Sequence, residues 1–295
     1  MLPWLLWYLI ILIIGLAAWP IMAWLTPALK DRGYSLSKAA GLLLSGYLFW
    51  SLVNFKILQN DLGGVLVGVL TVFAVSLWII RKNPSLSWRT LLTEQKRLVL
   101  VVEILFLVSF GLLALWRAAN PAIAGTEKPM ELAFINAILQ SPGFPPRDPW
   151  LSGYAISYYH FGYILISMLI RLSGVASGVG FNLAASLIFA MTAVGTYGLV
   201  YNILESRQVK VWFQRKAGDS RTGDNDCLFW PLLAPVLTLI MGNMEGLLEF
   251  LHRRGLFWQR LGDGSLVSPF WKWLDIQELV NSPAEPFSWS PDRPG

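Results

Sequence analysis

Residues 2–26 read LPWLLWYLIILIIGLAAWPIMAWLT and hold no charged side chain. At about 1.5 Å per helical residue, such a run is long enough to cross a hydrocarbon core of about 30 Å. It predicts a first membrane span. The run is too long for the apolar core of a signal peptide, and no basic residue precedes it.

The rest of the chain carries the same character. Hydrophobic residues make up 55% of 295 positions and charged residues only 14%, with a mean hydropathy of +0.53. Soluble domains are nearer a quarter charged. The composition therefore predicts an all-α, polytopic transmembrane helix bundle. A net charge of +5 could point to nucleic acid, but the basic residues sit in short clusters beside apolar runs. That is how orientation signals are distributed, and it argues for a lipid bilayer and no nucleic acid as partner. Cys227 is the only cysteine, so an intrachain disulfide is excluded. Two histidines, His160 and His252, are too few for a histidine-built zinc site.

Six further apolar runs follow, at 39–58, 63–80, 98–115, 154–170, 181–203 and 228–241, the last continuing in helical pattern through Asn243 and Glu245 to His252. Together they predict about seven spans. Lys30, Arg32 and Lys38 follow the first run, and Arg81, Lys82, Arg89, Lys96 and Arg97 separate the third from the fourth. These loops are expected inside, which puts the N-terminus on the extracytoplasmic side. Strict alternation then places 116–153 outside, together with the basic loop 205–226, against the positive-inside tendency. Either a re-entrant 154–171 or a stretch 175–203 that does not cross simply would repair the conflict. Glu103 falls within the fourth run, where its expected partner is Lys96 at the interface. The domains expected are a three-span region, 1–97, and the start of a second membrane domain, 98–295. The tryptophan-rich stretch 269–280 reads as an interfacial helix with no span after it, so a longer natural chain is expected.

Between the fourth and fifth runs lies the carboxylate-bearing connection 125–163, GTEKPMELAFINAILQSPGFPPRDPWLSGYAISYYHFGY. Pro129 suits the first turn of a helix, and the pattern to Gln140 predicts a short helix on the membrane surface. Three prolines and a glycine within 141–148 stiffen the return. Glu127, Glu131 and Asp148 are its acids; Trp150, Tyr154, Tyr158 and Tyr159 fall where an interfacial aromatic belt would lie. Each has a structural reading as well. The glutamates complement a helix N-terminus, Asp148 before Pro149 forms a turn, the tyrosines anchor, and His160 packs.

The blocks Glu127-Lys128-Pro129-Met130-Glu131, Pro145-Pro146-Arg147-Asp148-Pro149-Trp150, Ser152-Gly153 and Tyr158-Tyr159-His160-Phe161-Gly162-Tyr163, continuing into Phe181-Asn182-Leu183 and Gly242-Asn243, resemble the "YYY" family of polytopic membrane proteins. His160 stands where that family's third tyrosine falls. The family is similar in layout to membrane glycosyltransferases of the GT-C class, which use polyprenyl-phosphate-linked sugars. The resemblance implies Glu127 or Glu131 as base or metal-orienting carboxylate and Asp148 as a second acid. It also implies Arg117, Lys128 and Arg147 as phosphate-facing cations, and Trp150, Tyr158, Tyr159 and His160 against the substrate. A divalent cation stays open as cofactor, with no ligand set assigned. Two other classes stay open: a transporter or flippase, resting on Glu103, Asn54 and Glu245, and a non-catalytic assembly subunit.

Overall fold

The computed structural model describes residues 2–125, 127–206, 228–242, 244–262, 265–276 and 279–281. The chain divides into two compact units, Met1–Pro235 and Val236–Gly295. The first is a bundle of helices: α1 (Pro3–Leu25), α2 (Tyr34–Asn54), α3 (Leu62–Lys82), α4 (Trp88–Glu94), α5 (Lys96–Ala119), α6 (Lys128–Gln140), α7 (Phe161–Ser173) and α8 (Ser177–Leu204). Five of them, α1, α2, α3, α5 and α8, are long and apolar enough to cross a membrane. The protein is an integral, multi-pass membrane protein built as a helical bundle.

Small residues set how closely these helices approach. A Cβ on Gly41 of α2 would lie 2.4 Å from the Ile14 carbonyl oxygen of α1, and one on Gly198 of α8 would lie 1.9 Å from Ser35 Oγ. In lipid the hydrophobic effect does not separate helix from solvent, so close backbone packing has to supply much of the association. The main core gathers Trp7 and Ile11 of α1, Val102 and Phe106 of α5, and Ala190 and Val194 of α8. A second cluster joins Phe49 and Val65 to Phe134 and Ile138 of α6 and Ile164 and Met168 of α7.

Long-range hydrogen bonds sort the helix ends onto two faces. On one, Gln95 Nε2 before α5 donates to the Lys30 carbonyl between α1 and α2 (3.1 Å). Asn202 Nδ2, near the end of α8, donates to Asp31 Oδ1 in the same turn (2.8 Å). On the other face Asn60, in the α2–α3 turn, donates through Nδ2 to the carbonyls of Ile138 (2.6 Å) and Ser141 (2.7 Å) at the end of α6. Phe161 opens α7 with its ring against Trp50, near the end of α2. Ser173 closes α7 by accepting from Trp7 Nε1, near the start of α1 (2.9 Å).

Both ends of α7 thus lie on the Asn60 face. With 13 residues it spans only about 20 Å along its axis, too little for a core of about 30 Å. The expected fifth span, 154–170, is therefore corrected: residues 154–160 are not helical, α7 returns to the face it left, and α8 makes the crossing. The expected seventh span shrinks likewise, to the short apolar helical stretch Trp230–Met241, where Pro231 and Pro235 lack the N–H groups a continuous helix needs. Among the described residues, five candidate spans stand against the expected seven or so. Residues 207–227, most of the basic loop of 205–226, lie outside the described residues.

In the second unit, helix Met244–Arg253 leads to a two-stranded antiparallel pair, Gln259–Arg260 with Leu266–Val267. Ser268 then caps the helix Pro269–Leu274, shorter than the expected 269–280. His252 is buried here, against the rings of Trp258 and Trp271.

Candidate functional site

The expected surface helix is α6. Pro129 occupies its first turn, and Phe134, Ile135 and Ile138 bury its inner side. Glu127 stands at the N-cap position without a side-chain capping bond, so its carboxylate is not consumed by the helix end. Glu131 lies one turn on, its N–H bonded to the Glu127 carbonyl (2.9 Å). This spacing puts the two carboxylates on one side of the helix.

Each carboxylate meets a phenol from the segment that enters α7. The Tyr158 hydroxyl donates to Glu127 Oε2 (3.4 Å), and the Tyr163 hydroxyl to Glu131 Oε1 (3.2 Å). The charge on Glu127 raises the pKa of the Tyr158 hydroxyl above its ordinary value, which keeps it a donor. Phe134 extends the stripe, its ring against those of Trp150, Tyr158 and Tyr163. Tyr159 packs on Tyr158 and is 84% exposed; Trp150 is 61% exposed. The result is a carboxylate pair beside an open aromatic wall.

Asp148 has a different setting. Its Oδ1 accepts from the Trp150 and Leu151 N–H groups (2.8 and 2.9 Å), while Asp148 N donates to the Tyr154 carbonyl (2.9 Å) and Arg147 bridges Ala155. The acid closes a small hairpin that carries Trp150. Among the described residues no hydrogen bond joins it to either glutamate. The Phe144–Pro145 peptide ahead of this hairpin is cis. Arg147 is exposed and Lys128 half-buried in the same segment. Arg117 is turned toward α8, its Nε donating to Asn182 Oδ1 (2.8 Å). His160, at the N-cap position of α7, sets its Nδ1 against the Tyr158 carbonyl (3.0 Å) and so fixes the turn that aims that tyrosine.

Sequence reasoning missed Tyr163 as a partner of Glu131, and Asn60 as the clamp that ties α6 to the α2–α3 turn. The available signal was the five-residue step from Tyr158 to Tyr163 across a helix start. Among the described residues no group of three or more His, Cys, Asp or Glu is gathered to hold a metal. A divalent ion at the two glutamates would have to draw most of its oxygens from substrate phosphate and water, as magnesium commonly does.

The bundle interior holds the other charged constellation. Glu103 pairs with Lys38 of α2, not with Lys96 as expected. Lys96 is two turns away along its own helix, about 10 Å, whereas Lys38 comes across from a neighbouring helix. Tyr34 and Tyr8 also donate to Glu103, to Oε1 (2.6 Å) and Oε2 (3.0 Å). The Lys38 ammonium lies 5.2 Å from the Tyr34 ring centre and 5.3 Å from that of Phe106. Asn54 bonds locally to the Trp50 carbonyl (2.8 Å), and the side chain of Glu245 lies outside the described residues.

The family model of an uncharacterized membrane protein family, DUF2298, matches residues 44–267. The chain belongs to that family. The DUF2298 match contains the whole Glu127–Glu131–Tyr158–Tyr163 cluster, whereas Tyr8, Tyr34 and Lys38 precede it. No curated protein and no solved structure matches the chain.

Proposed function

We propose that this DUF2298 protein transfers a sugar from a polyprenyl-phosphate donor, with the Glu127–Glu131 pair as its reacting centre. The observation that carries the reading is the pairing of two carboxylates with two phenols, beside exposed aromatic rings, on one membrane face. Sugar transfer needs a base for the acceptor hydroxyl, and Glu131, half-buried and oriented by Tyr163, fits that task. The acceptor oxygen then bonds the anomeric carbon as the bond from that carbon to the phosphate oxygen breaks, and the lipid phosphate leaves with the electron pair. Lys128 and Arg147 are the nearby cations suited to that departing charge. Trp150 and Tyr159 offer ring faces for a sugar, with Asp148 holding the hairpin that presents Trp150.

An orientation goes with the proposal. The face that gathers Lys30, Arg32, Arg81, Lys82, Arg89, Lys96 and Arg97 is taken as cytoplasmic, which puts the glutamate pair and the N-terminus outside. The re-entrant α7 removes the earlier conflict, because the chain leaves α8 on the basic face before Arg207, Lys210, Arg215, Lys216 and Arg221. The transporter reading leans on Glu103, but both of its oxygens are already occupied by internal donors.

Membranes holding the protein, supplied with labelled polyprenyl-phosphate sugars, are expected to transfer label, and Glu131→Gln to lower that transfer by about 10²-fold or more. Transfer unchanged by Glu127→Gln and Glu131→Gln together would remove this site. Single cysteines, Ser152→Cys and Ser85→Cys in a Cys227→Ser background, test the orientation with an impermeant thiol reagent on intact cells. Labelling is expected at 152 only, and labelling at 85 alone would invert the assignment.

A further inference from the structure

On the Asn60 face the start of α1, the end of α5 and the start of α8 enclose an apolar cleft of about 470 Å³. Pro3, Trp4, Leu115, Ala118, Val179 and Leu183 form its walls, and Arg117 stands among them. Leu2 (59%), Leu115 (67%) and Trp116 (75%) are exposed beside it. Because these three helices are membrane spans, the cleft opens toward lipid as well as toward the surface.

Three features give it a positive field. Arg117 donates through Nε and Nη2 to Asn182 Oδ1 and through Nη2 to the Ala122 carbonyl, all neutral acceptors. Among the described residues it makes no ion pair, and its counterpart is only the partial negative end of α5. Asn182 is itself fixed, its Nδ2 donating to the carbonyls of Pro121 and Gly178 (3.1 Å each). Arg117 is therefore held in place while Nη1 stays available. The second and third features are the N-termini of α1 and α8, which bring Trp4 and Val179 to the cleft. Neither Leu2 nor Ala176 supplies a side-chain cap. Pro3 has no N–H and the Leu5 and Leu6 N–H groups bond the Leu2 carbonyl, so α1 offers the Trp4 N–H and α8 its first-turn N–H groups, with the positive ends of two long helices. The C-terminal end of α5 has the opposite sign, and Arg117 in its last turn offsets it.

We propose that this cleft binds one anionic phospholipid of the surrounding leaflet. The phosphate lies on Arg117, the Trp4 amide of α1 and the first-turn amides of α8, and an acyl chain runs along Trp4, Leu115 and Leu183. A free anion would gain nothing from those apolar walls, and a neutral lipid would leave the guanidinium without a counter-charge. The site is independent of sugar transfer at Glu127 and Glu131, and either assignment can fail without the other.

Native mass spectrometry of the purified full chain tests it, with three probes: dioleoylphosphatidylglycerol, dioleoylglycerol with the same tails, and glycerol phosphate with a headgroup alone. Phosphatidylglycerol is expected to be retained about tenfold better than either, the worth of one charge-assisted hydrogen bond. Arg117→Gln should erase that preference. Ala118→Trp leaves the Arg117–Asn182 bonds in place and fills the cleft, and it should weaken phosphatidylglycerol by a similar factor. Equal retention of dioleoylglycerol, or full retention by Ala118→Trp, overturns the proposal. A polyprenyl phosphate held tenfold more tightly than phosphatidylglycerol also overturns it, and reassigns the cleft to the sugar donor.

Discussion

Two constellations in this protein use the same side chains in opposite settings. In the bundle interior Glu103 receives two phenols, from Tyr8 and Tyr34, together with the Lys38 ammonium, and Lys38 is 2% exposed. On the Asn60 face Glu127 and Glu131 receive one phenol each, neither has an ion pair among the described residues, and exposed rings surround them. A carboxylate that receives three donors on its two oxygens, one of them a full positive charge, has little left to offer a reactant; its work is to lock α1, α2 and α5 together. A carboxylate oriented by a single phenol keeps acceptor capacity for a proton or a cation. The contrast teaches that a glutamate's role here follows from how completely its neighbours satisfy it, and not from how deep it lies.

The largest expected effect is on the interior group. Glu103→Gln strands the Lys38 ammonium in a low-dielectric setting and should cost about 3–5 kcal/mol, read as a fall in thermal unfolding temperature in detergent. Lys38→Met combined with Glu103→Leu should recover most of that loss, since no buried charge is then left alone. A single variant as stable as the parent would erase the distinction between the two constellations.

Next is the open group, where the effect falls on turnover and not on stability. Glu131→Gln should lower sugar transfer by about 10²-fold or more, with the unfolding temperature nearly unchanged. Tyr163→Phe should lower it less, because it misorients the carboxylate without removing it. If Glu131→Gln instead unfolds the protein as Glu103→Gln does, both glutamates are structural and the contrast collapses.

A packing control follows. Gly198→Ala has no charge consequence, yet its Cβ would meet Ser35 Oγ at 1.9 Å and crowd the turn that holds Asp31. It should cost about 1–3 kcal/mol through overpacking, measured by the same unfolding scan, and a neutral result would mean α8 sits further from α2.

The smallest effects belong to the outer segment. Asp148→Asn keeps an acceptor for the Trp150 and Leu151 amides, so it should cost under about 1 kcal/mol and leave transfer within a few-fold. Glu127→Gln should lower the Tyr158 pKa toward its ordinary value, because the charge that raises it is gone. Carbon-13 tyrosine NMR titration would read the change; a Tyr158 titration unmoved by the substitution would uncouple the two groups.

The sequence alone determined that this is a helical membrane protein, and it located α1, α2, α3, α5 and α8 to within a few residues. The reason is physical: whether an apolar run can cross a hydrocarbon core depends on its own length and charge, which are local properties. Pro129 and the pattern after it likewise placed α6, and the turn chemistry of Asp148 before Pro149 was one of the readings open at the start. Only the tertiary structure decided that α7 turns back, that Glu103 meets Lys38 instead of Lys96, and that Glu131 meets Tyr163. Those outcomes rest on contacts between residues far apart along the chain: 166 residues for Trp7 and Ser173, 65 for Lys38 and Glu103, and 32 for Tyr163 and Glu131. Hydropathy reports how a segment prefers lipid to water, but not which neighbour it will find there, because that choice is made by close packing at positions such as Gly41 and Gly198.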